Sequence, residues 1–298
     1  MITEADEEPR SEQPAGNNDA VAFCFADMDA NVFGLVRVGS VSAADGGSEG
    51  ATLAVLFADG ELAIVQAARA ARATGAARDA DTVFSHERVS ARVVEPLARW
   101  TLALSHGEHR LELGFEALCD PAELDATARG GMNGYEQVCR VTGRASVSGV
   151  DREIDCLGQR GHEWGSMSYT EIALTRSVAA WFAEDLAAGV SALRPAGAEH
   201  HDAETLSAWL LDAQAGTPRP VHEPRLSTTY DAECLQRRAG LELWVGEEDE
   251  FPRRAAGQAL CGTSLPLGGA RLDVAFMAWT MEGHGGAGPY TLLRPATA

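Results

Sequence analysis

The residues best equipped for chemistry lie in one stretch. It runs Gly134-Tyr135-Glu136-Gln137-Val138-Cys139-Arg140-Val141-Thr142-Gly143, turns at Ser148-Gly149-Val150-Asp151, and returns through Gly158-Gln159-Arg160-Gly161-His162-Glu163-Trp164-Gly165. Both arms read as strands, in which successive side chains alternate between faces. Glu136, Val138, Arg140 and Thr142 then share one face, and Gln137, Cys139 and Val141 the other. His162 and Trp164 point one way and Glu163 the opposite way. In a wide β-barrel the inward face lines a ligand cavity. A carboxylic acid buried there is pushed towards its neutral form and can donate a proton, and Trp or Tyr faces stabilise a cation formed beside them. The candidate catalytic residues are therefore Glu163, His162 and Glu136, with Trp164, Tyr135 and Gln137 binding substrate. The structural alternative is that Tyr135, His162 and Trp164 pack a domain interface while Arg140 pairs with Glu136.

The rest of the composition narrows the chemistry. The chain has 298 residues and a formal charge of −20, and all 24 of its basic residues are arginine. Without lysine there is no Schiff-base aldolase, no PLP aldimine and no P-loop lysine. The negative charge disfavours nucleic acid and anionic membranes as partners. Gly283 to Gly288 matches G-x-G-x-x-G, but ten residues containing two prolines cannot supply the helix that a dinucleotide site needs. These glycines are expected to form a tight turn between the last two strands. Gly165-Ser166-Met167-Ser168-Tyr169 fails as a nucleophile elbow, and His162-Glu163 is not followed by the second histidine of a zinc helix. Six cysteines with no pair closer than 17 residues read as free thiols of a cytoplasmic protein. No cofactor and no metal is expected.

The elements that must position these groups are short strands. Val21–Phe25, Val32–Val38, the hairpin Ala51–Phe57 and Glu61–Val65 around Asp59-Gly60, Val89–Val94, Trp100–Ser105 and Arg110–Phe115 precede the long hairpin. Similar apolar segments follow it, from Ile172–Phe182 to Tyr290–Leu293. Gln66 to Ala80 is the one helix candidate of the first half. The connection from Cys119 to Gly134 is long enough for a lid or a crossing loop. Met1 to Asp19 carries six acids and one arginine and reads as a disordered acidic tail, residues 1–20. Many strands and little helix predict an all-β protein of two β halves, 21–165 and 166–298, without a repeat at residue level. No run approaches the ~20 apolar residues of a membrane helix.

The 135–165 segment resembles the lipocalin-like carotenoid 1,2-hydratase (hydroxyneurosporene synthase) superfamily, and is most similar to its uncharacterised bacterial members. Tyr135-Glu136-Gln137, Val141-Thr142-Gly143 and His162-x-Trp164-Gly165 match that family's Tyr-Glu-Gln strand, V-T-G stretch and Asp-His-Ser-Trp-Gly motif. Phe25-Ala26-Asp27, Phe33 to Gly39 and the ending from Gly283 to Thr291 also fit. The resemblance implies two lipocalin-like antiparallel barrel halves and cofactor-free chemistry on hydrophobic isoprenoid or polyketide substrates. In that family the motif His and Trp are tied to activity, and their counterparts are His162 and Trp164. The motif Asp is Gly161 here and the motif Ser is Glu163, so Glu163 is the expected replacement acid. The leading expectation is a hydratase or cyclase working by acid catalysis on an apolar small molecule. The alternatives are a pericyclase that folds a polyene by shape, and a non-catalytic lipocalin-like binding protein, which the Asp-to-Gly change favours.

Overall fold

In the computed structural model, residues 1–10, 13–71, 82–86, 88–213 and 215–296 are described. Among the described residues the alternation seen in the sequence becomes twenty strands in two antiparallel sheets, one in each of two compact units. The first unit comprises Met1–Glu123 and Asn133–Ser166. Its strands are β1 (Asn18–Asp27), β2 (Val32–Ser42), β3 (Ser48–Ala58), β4 (Glu61–Ala71), β5 (Thr82–His86), β6 (Val89–Glu95), β7 (Arg99–His106), β8 (His109–Ala117), β9 (Ala122–Glu123), β10 (Asn133–Val147) and β11 (Val150–Gly165). The second comprises Leu124–Met132 and Met167–Ala298. Its strands are β12 (Ile172–Ala183), β13 (Leu186–Pro195), β14 (Thr205–Leu211), β15 (Arg219–Pro220), β16 (Glu223–Tyr230), β17 (Gln236–Trp244), β18 (Arg253–Leu267), β19 (Ala270–Met281) and β20 (His284–Pro295).

Both units follow one plan. The first sheet runs β4-β3-β2-β1-β11-β10-β8-β7-β6-β5, and the second β15-β14-β13-β12-β20-β19-β18-β17-β16. In each, the first strand pairs with the last, and β5 packs back against β2 and β3 in the first unit. The fold is all-β, with two lipocalin-like halves. The two halves share topology although their sequences show no repeat.

The interior of the first unit is apolar through Val21, Phe23 and Phe25 of β1, Trp100, Leu102 and Leu104 of β7, Leu111, Leu113 and Phe115 of β8, and Cys139 and Val141 of β10. That settles which face of each strand points inward. Asp59 and Gly60 both have positive φ, 55° and 80°, as the two-residue hairpin turn demands.

Three expectations change. Gln66 to Ala71, expected as helix, is the second half of β4, and 72–80 lies outside the described residues. The turn between the last two strands is Glu282-Gly283, while Gly285, Gly286 and Gly288 lie inside β20. A Cβ at Gly286 or Gly288 would come within 2.1 Å of a backbone oxygen of β12, so close strand approach explains those glycines. Residues 1–10, expected as a disordered tail, carry a 3-10 turn at Glu4–Glu7 whose Glu7 is 2% exposed. No helix among the described residues is long and apolar enough to cross a membrane.

Candidate functional site

One end of the first unit's interior is polar. Strands β1, β10 and β11 are neighbours there, with Tyr135 paired to His162, Gln137 to Arg160 and Asp19 to Trp164. Arg160, His162 and Trp164 share the inward face of β11, and Tyr135 and Gln137 that of β10. Into this end comes the segment 1–10, which enters no strand ladder among the described residues. Its turn is fixed locally: the Thr3 N–H and hydroxyl donate to Asp6 Oδ2 at 2.9 and 3.0 Å, and Arg10 pairs with Asp6 Oδ1 at 2.9 Å.

His162 is fully buried. Its Nδ1 lies 2.7 Å from the Asp6 carbonyl oxygen and its Nε2 2.6 Å from Asp19 Oδ1. Asp19 Oδ2 accepts from the Arg10 N–H at 2.8 Å. Phe84 and Trp164 stand edge-on to the imidazole at 5.3 and 5.2 Å. Arg10 lies over Trp164, its guanidinium carbon 3.9 Å from the ring centroid.

Beside this pair, Glu7 sits in a cradle of donors. Its Oε1 accepts from Trp100 Nε1 at 2.8 Å and from the Tyr135 hydroxyl at 3.2 Å, and pairs with Arg160 Nη1 at 2.5 Å. Its Oε2 accepts from the Leu97 N–H at 2.7 Å. Leu97 has φ of 56°, a left-handed conformation that costs a branched side chain of order 1–3 kcal/mol. That conformation turns its N–H to Glu7, and its carbonyl accepts from Gln137 Nε2 at 2.9 Å. Arg160 also lies over the Trp100 ring, 5.3 Å from its centroid. Burial pushes the Tyr135 phenol up, against the opposing pull of the Arg160 charge, so it remains a donor at neutral pH.

The structure therefore brings together His162, Trp164, Tyr135 and Gln137, and leaves out Glu163 and Glu136. These two acids lie on the outer faces of β11 and β10. Glu163 faces Arg37 of β2 at 3.9 Å, with 21% of its side chain exposed. The carboxylates inside are Asp19 and Glu7, and with Arg160, Trp100 and Leu97 they were not anticipated. Gly161 shares the outward parity of Glu163, and a Cβ there would meet the Tyr135 carbonyl oxygen at 2.6 Å. An aspartate at 161 would not reach the interior; Asp19 supplies the imidazole's carboxylate from the adjacent strand. Among the described residues no cluster of three His, Cys, Asp or Glu side chains is arranged to hold a metal.

The second unit has a related cluster. Arg176, 3% exposed, pairs with Glu204 and donates from Nη1 to Thr228 Oγ1 at 3.3 Å, and Thr228 shares a 2.6 Å hydrogen bond with the Tyr290 hydroxyl. There the carboxylate comes from the connection between two paired strands, β13 and β14.

A family model described as a domain of unknown function, DUF7064, matches residues 3–295. The chain belongs to this family. No curated protein matches the sequence. Among solved structures, a protein assigned as AttH from Nitrosomonas europaea is similar with a TM-score of 0.70 at 14% identity, over 93% of this chain and 92% of that one. Kievitone hydratase from Nectria haematococca aligns with a TM-score of 0.63 at 10% identity, over 100% and 94%. CghA gives 0.63 at 16% identity, over 97% and 94%. At these identities the likeness is one of fold, and it is the fold of the lipocalin-like hydratase superfamily that the 135–165 segment resembles. The DUF7064 chain thus shares its architecture with proteins named as a hydratase and as CghA.

Proposed function

We propose that this protein is a cofactor-independent hydratase or cyclase that protonates an apolar isoprenoid or polyketide at the polar end of the first unit. The observation that supports the reading is the buried His162–Asp19 pair. A backbone carbonyl only accepts, so the contact with Asp6 requires a hydrogen on Nδ1; the contact with Asp19 requires another between Nε2 and Oδ1. The pair therefore holds one proton more than a neutral imidazole beside a carboxylate, whichever atom carries it. Such a proton, held in a water-poor interior, is a general acid in waiting.

Once a substrate has displaced the Asp6 carbonyl, the Nδ1–H faces an alkene. The alkene electron pair takes the proton to form a C–H bond, leaving a carbocation on the neighbouring carbon. The Trp164 face, now covered by Arg10, stabilises that cation. Water bonds to it and its surplus proton returns to His162, giving the alcohol. In ring closure an internal nucleophile takes the place of water.

The test is incubation with a panel of isoprenoid and polyketide alkenes in D2O, read by mass spectrometry. Turnover should place deuterium on carbon. His162→Gln and Asp19→Asn should reduce it by about 10²-fold or more, the range expected for a general acid, while Glu163→Gln and Glu136→Gln stay near wild type. Product without carbon-bound deuterium would favour shape-directed pericyclic closure, and loss of activity in Glu163→Gln with His162→Gln unaffected would reverse the assignment. A binding-protein reading has one observation in its favour: both ring nitrogens of His162 are engaged within the chain. Binding without turnover across the panel would select it.

A further inference from the structure

We infer that the polar end of the first unit is a carboxylate-recognition site, and that Glu7 occupies it as a built-in competitor of a hydrophobic carboxylate ligand. This deepens the proposed function by naming the substrate class; it rests on that reading for the reaction but not for the binding.

Four donors from separate elements meet Glu7: Arg160 from β11, Tyr135 from β10, Trp100 from β7 and the Leu97 N–H from the turn before β7. One charged, two side-chain and one backbone donor around a single carboxylate form an anion site in a dry interior, where charge-assisted hydrogen bonds are at their strongest. The left-handed Leu97 aims one of those donors inward, so part of the cost of building the site is carried by the backbone. The cradle also has unused capacity. Arg160 Nε and Nη2 and Gln137 Oε1 are buried and make no hydrogen bond to the described residues, although Arg160 and Gln137 are each 2% exposed. Such groups carry a desolvation cost unless a further partner meets them. A carboxylate with an attached polar group would meet more of them than Glu7 does.

The way Glu7 is held fits a competitor. In the second unit, the carboxylate that pairs with the buried arginine is Glu204, fixed between two hydrogen-bonded strands. Glu7 instead belongs to a segment with no ladder partner among the described residues. That segment contributes three groups to the site: a carboxylate on the cradle, a carbonyl on His162 Nδ1 and a guanidinium on the Trp164 face. Together they reproduce the anion, the proton acceptor and the cation of a reacting molecule. Because the segment is part of the chain, apparent affinity for an outside carboxylate is reduced by the fraction of molecules in which the cradle is vacant.

The probe is cis-parinaric acid, a polyene carboxylate whose fluorescence rises in apolar sites, with its methyl ester as the uncharged control. Glu7→Ala should bind the acid about tenfold or more tightly than wild type, with the ester little changed. In the full-length wild-type protein, saturating parinarate should accelerate amide hydrogen exchange in Thr3–Arg10. Equal gains for acid and ester would overturn the inference, since the site would then read only the apolar chain. Unchanged exchange in Thr3–Arg10 with parinarate bound would overturn it even where the Glu7→Ala protein does not fold. Failure of every folded form to bind parinarate has the same consequence. Because these readouts record binding alone, they stand or fall separately from the turnover assay in D2O.

Discussion

Removing the Glu7 carboxylate tests the core of this description. In Glu7→Ala, the Arg160 guanidinium, 2% exposed, loses its paired carboxylate, and Trp100 Nε1, the Tyr135 hydroxyl and the Leu97 N–H lose their acceptor. Breaking a buried pair from one side costs about 3–5 kcal/mol, because the remaining charge stays in the interior without compensation. For a unit of roughly 150 residues each kcal/mol lowers Tm by ~2–4 °C, so the first unit should melt roughly 6–20 °C lower. Differential scanning calorimetry resolves this without requiring the two units to unfold together. Two comparisons give the number meaning. Glu153→Ala, which breaks the Arg144 pair whose side chains are 75% and 76% exposed, should cost no more than about 1 kcal/mol. Glu7→Leu combined with Arg160→Met should recover most of the loss, since replacing a buried ion pair by apolar residues of similar volume is often neutral. A Glu7→Ala loss as small as that of Glu153→Ala would refute the docked segment and the cradle together.

Gly161→Asp, which introduces the aspartate of the hydratase motif that this segment resembles, should not raise activity and should cost about 1–3 kcal/mol in urea titration, because its Cβ meets the Tyr135 carbonyl oxygen at 2.6 Å; a stable, more active variant would contradict the assigned strand parity. The Asp6 carboxyl is held below its ordinary value of 3.8, chiefly by the Thr3 N–H and further by Arg10 and the Thr3 hydroxyl, against an opposing desolvation effect. A lowered folded value means that its contribution is intact above the unfolded value and disappears as pH falls through the folded one. Protection of the Thr3–Arg10 amides, taken relative to intrinsic exchange at each pH, should therefore fall on acidification below about pH 4, with a smaller change in Asp6→Asn. Burial pushes five of the six thiols up, with Cys139, Cys156 and Cys261 at about 12, and leaves Cys234 exposed. At pH 8 one thiol should react rapidly with an aromatic disulfide reagent and all six after denaturation; several fast equivalents in the native protein would argue against the packing around β10 and β11.

The strand content, the Asp59-Gly60 hairpin and the gathering of Tyr135, Gln137, His162 and Trp164 were legible because each depends on local period and turn chemistry. Which face of β10 points inward was not legible. Val138 and Cys139 are both buried, so apolar character marks both faces of the strand there, and Glu136 and Glu163 were assigned to a site that lies behind them. Asp19 and Glu7 were hidden for a different reason. Both sit in an acid-rich, apolar-poor segment whose composition resembles that of unfolded chains, and their burial is created by partners 90 to 153 residues away. The one local signal was Thr3 followed three residues later by Asp6, a spacing suited to a capping turn. Arg160 lies in the same 134–165 stretch but carries no distinguishing local pattern, since its partners Glu7, Tyr135 and Trp100 are contributed by separate elements.

The pairing of first strand with last has a consequence for how the chain is made. Asn18 lies opposite Gly165, so β1 cannot complete its ladder with β11 until the ribosome has produced nearly all of the first unit. At synthesis rates of about 5–20 residues per second, β1 waits roughly 7–30 s with one edge uncovered. Contacts of such long sequence separation place the domain among slow folders.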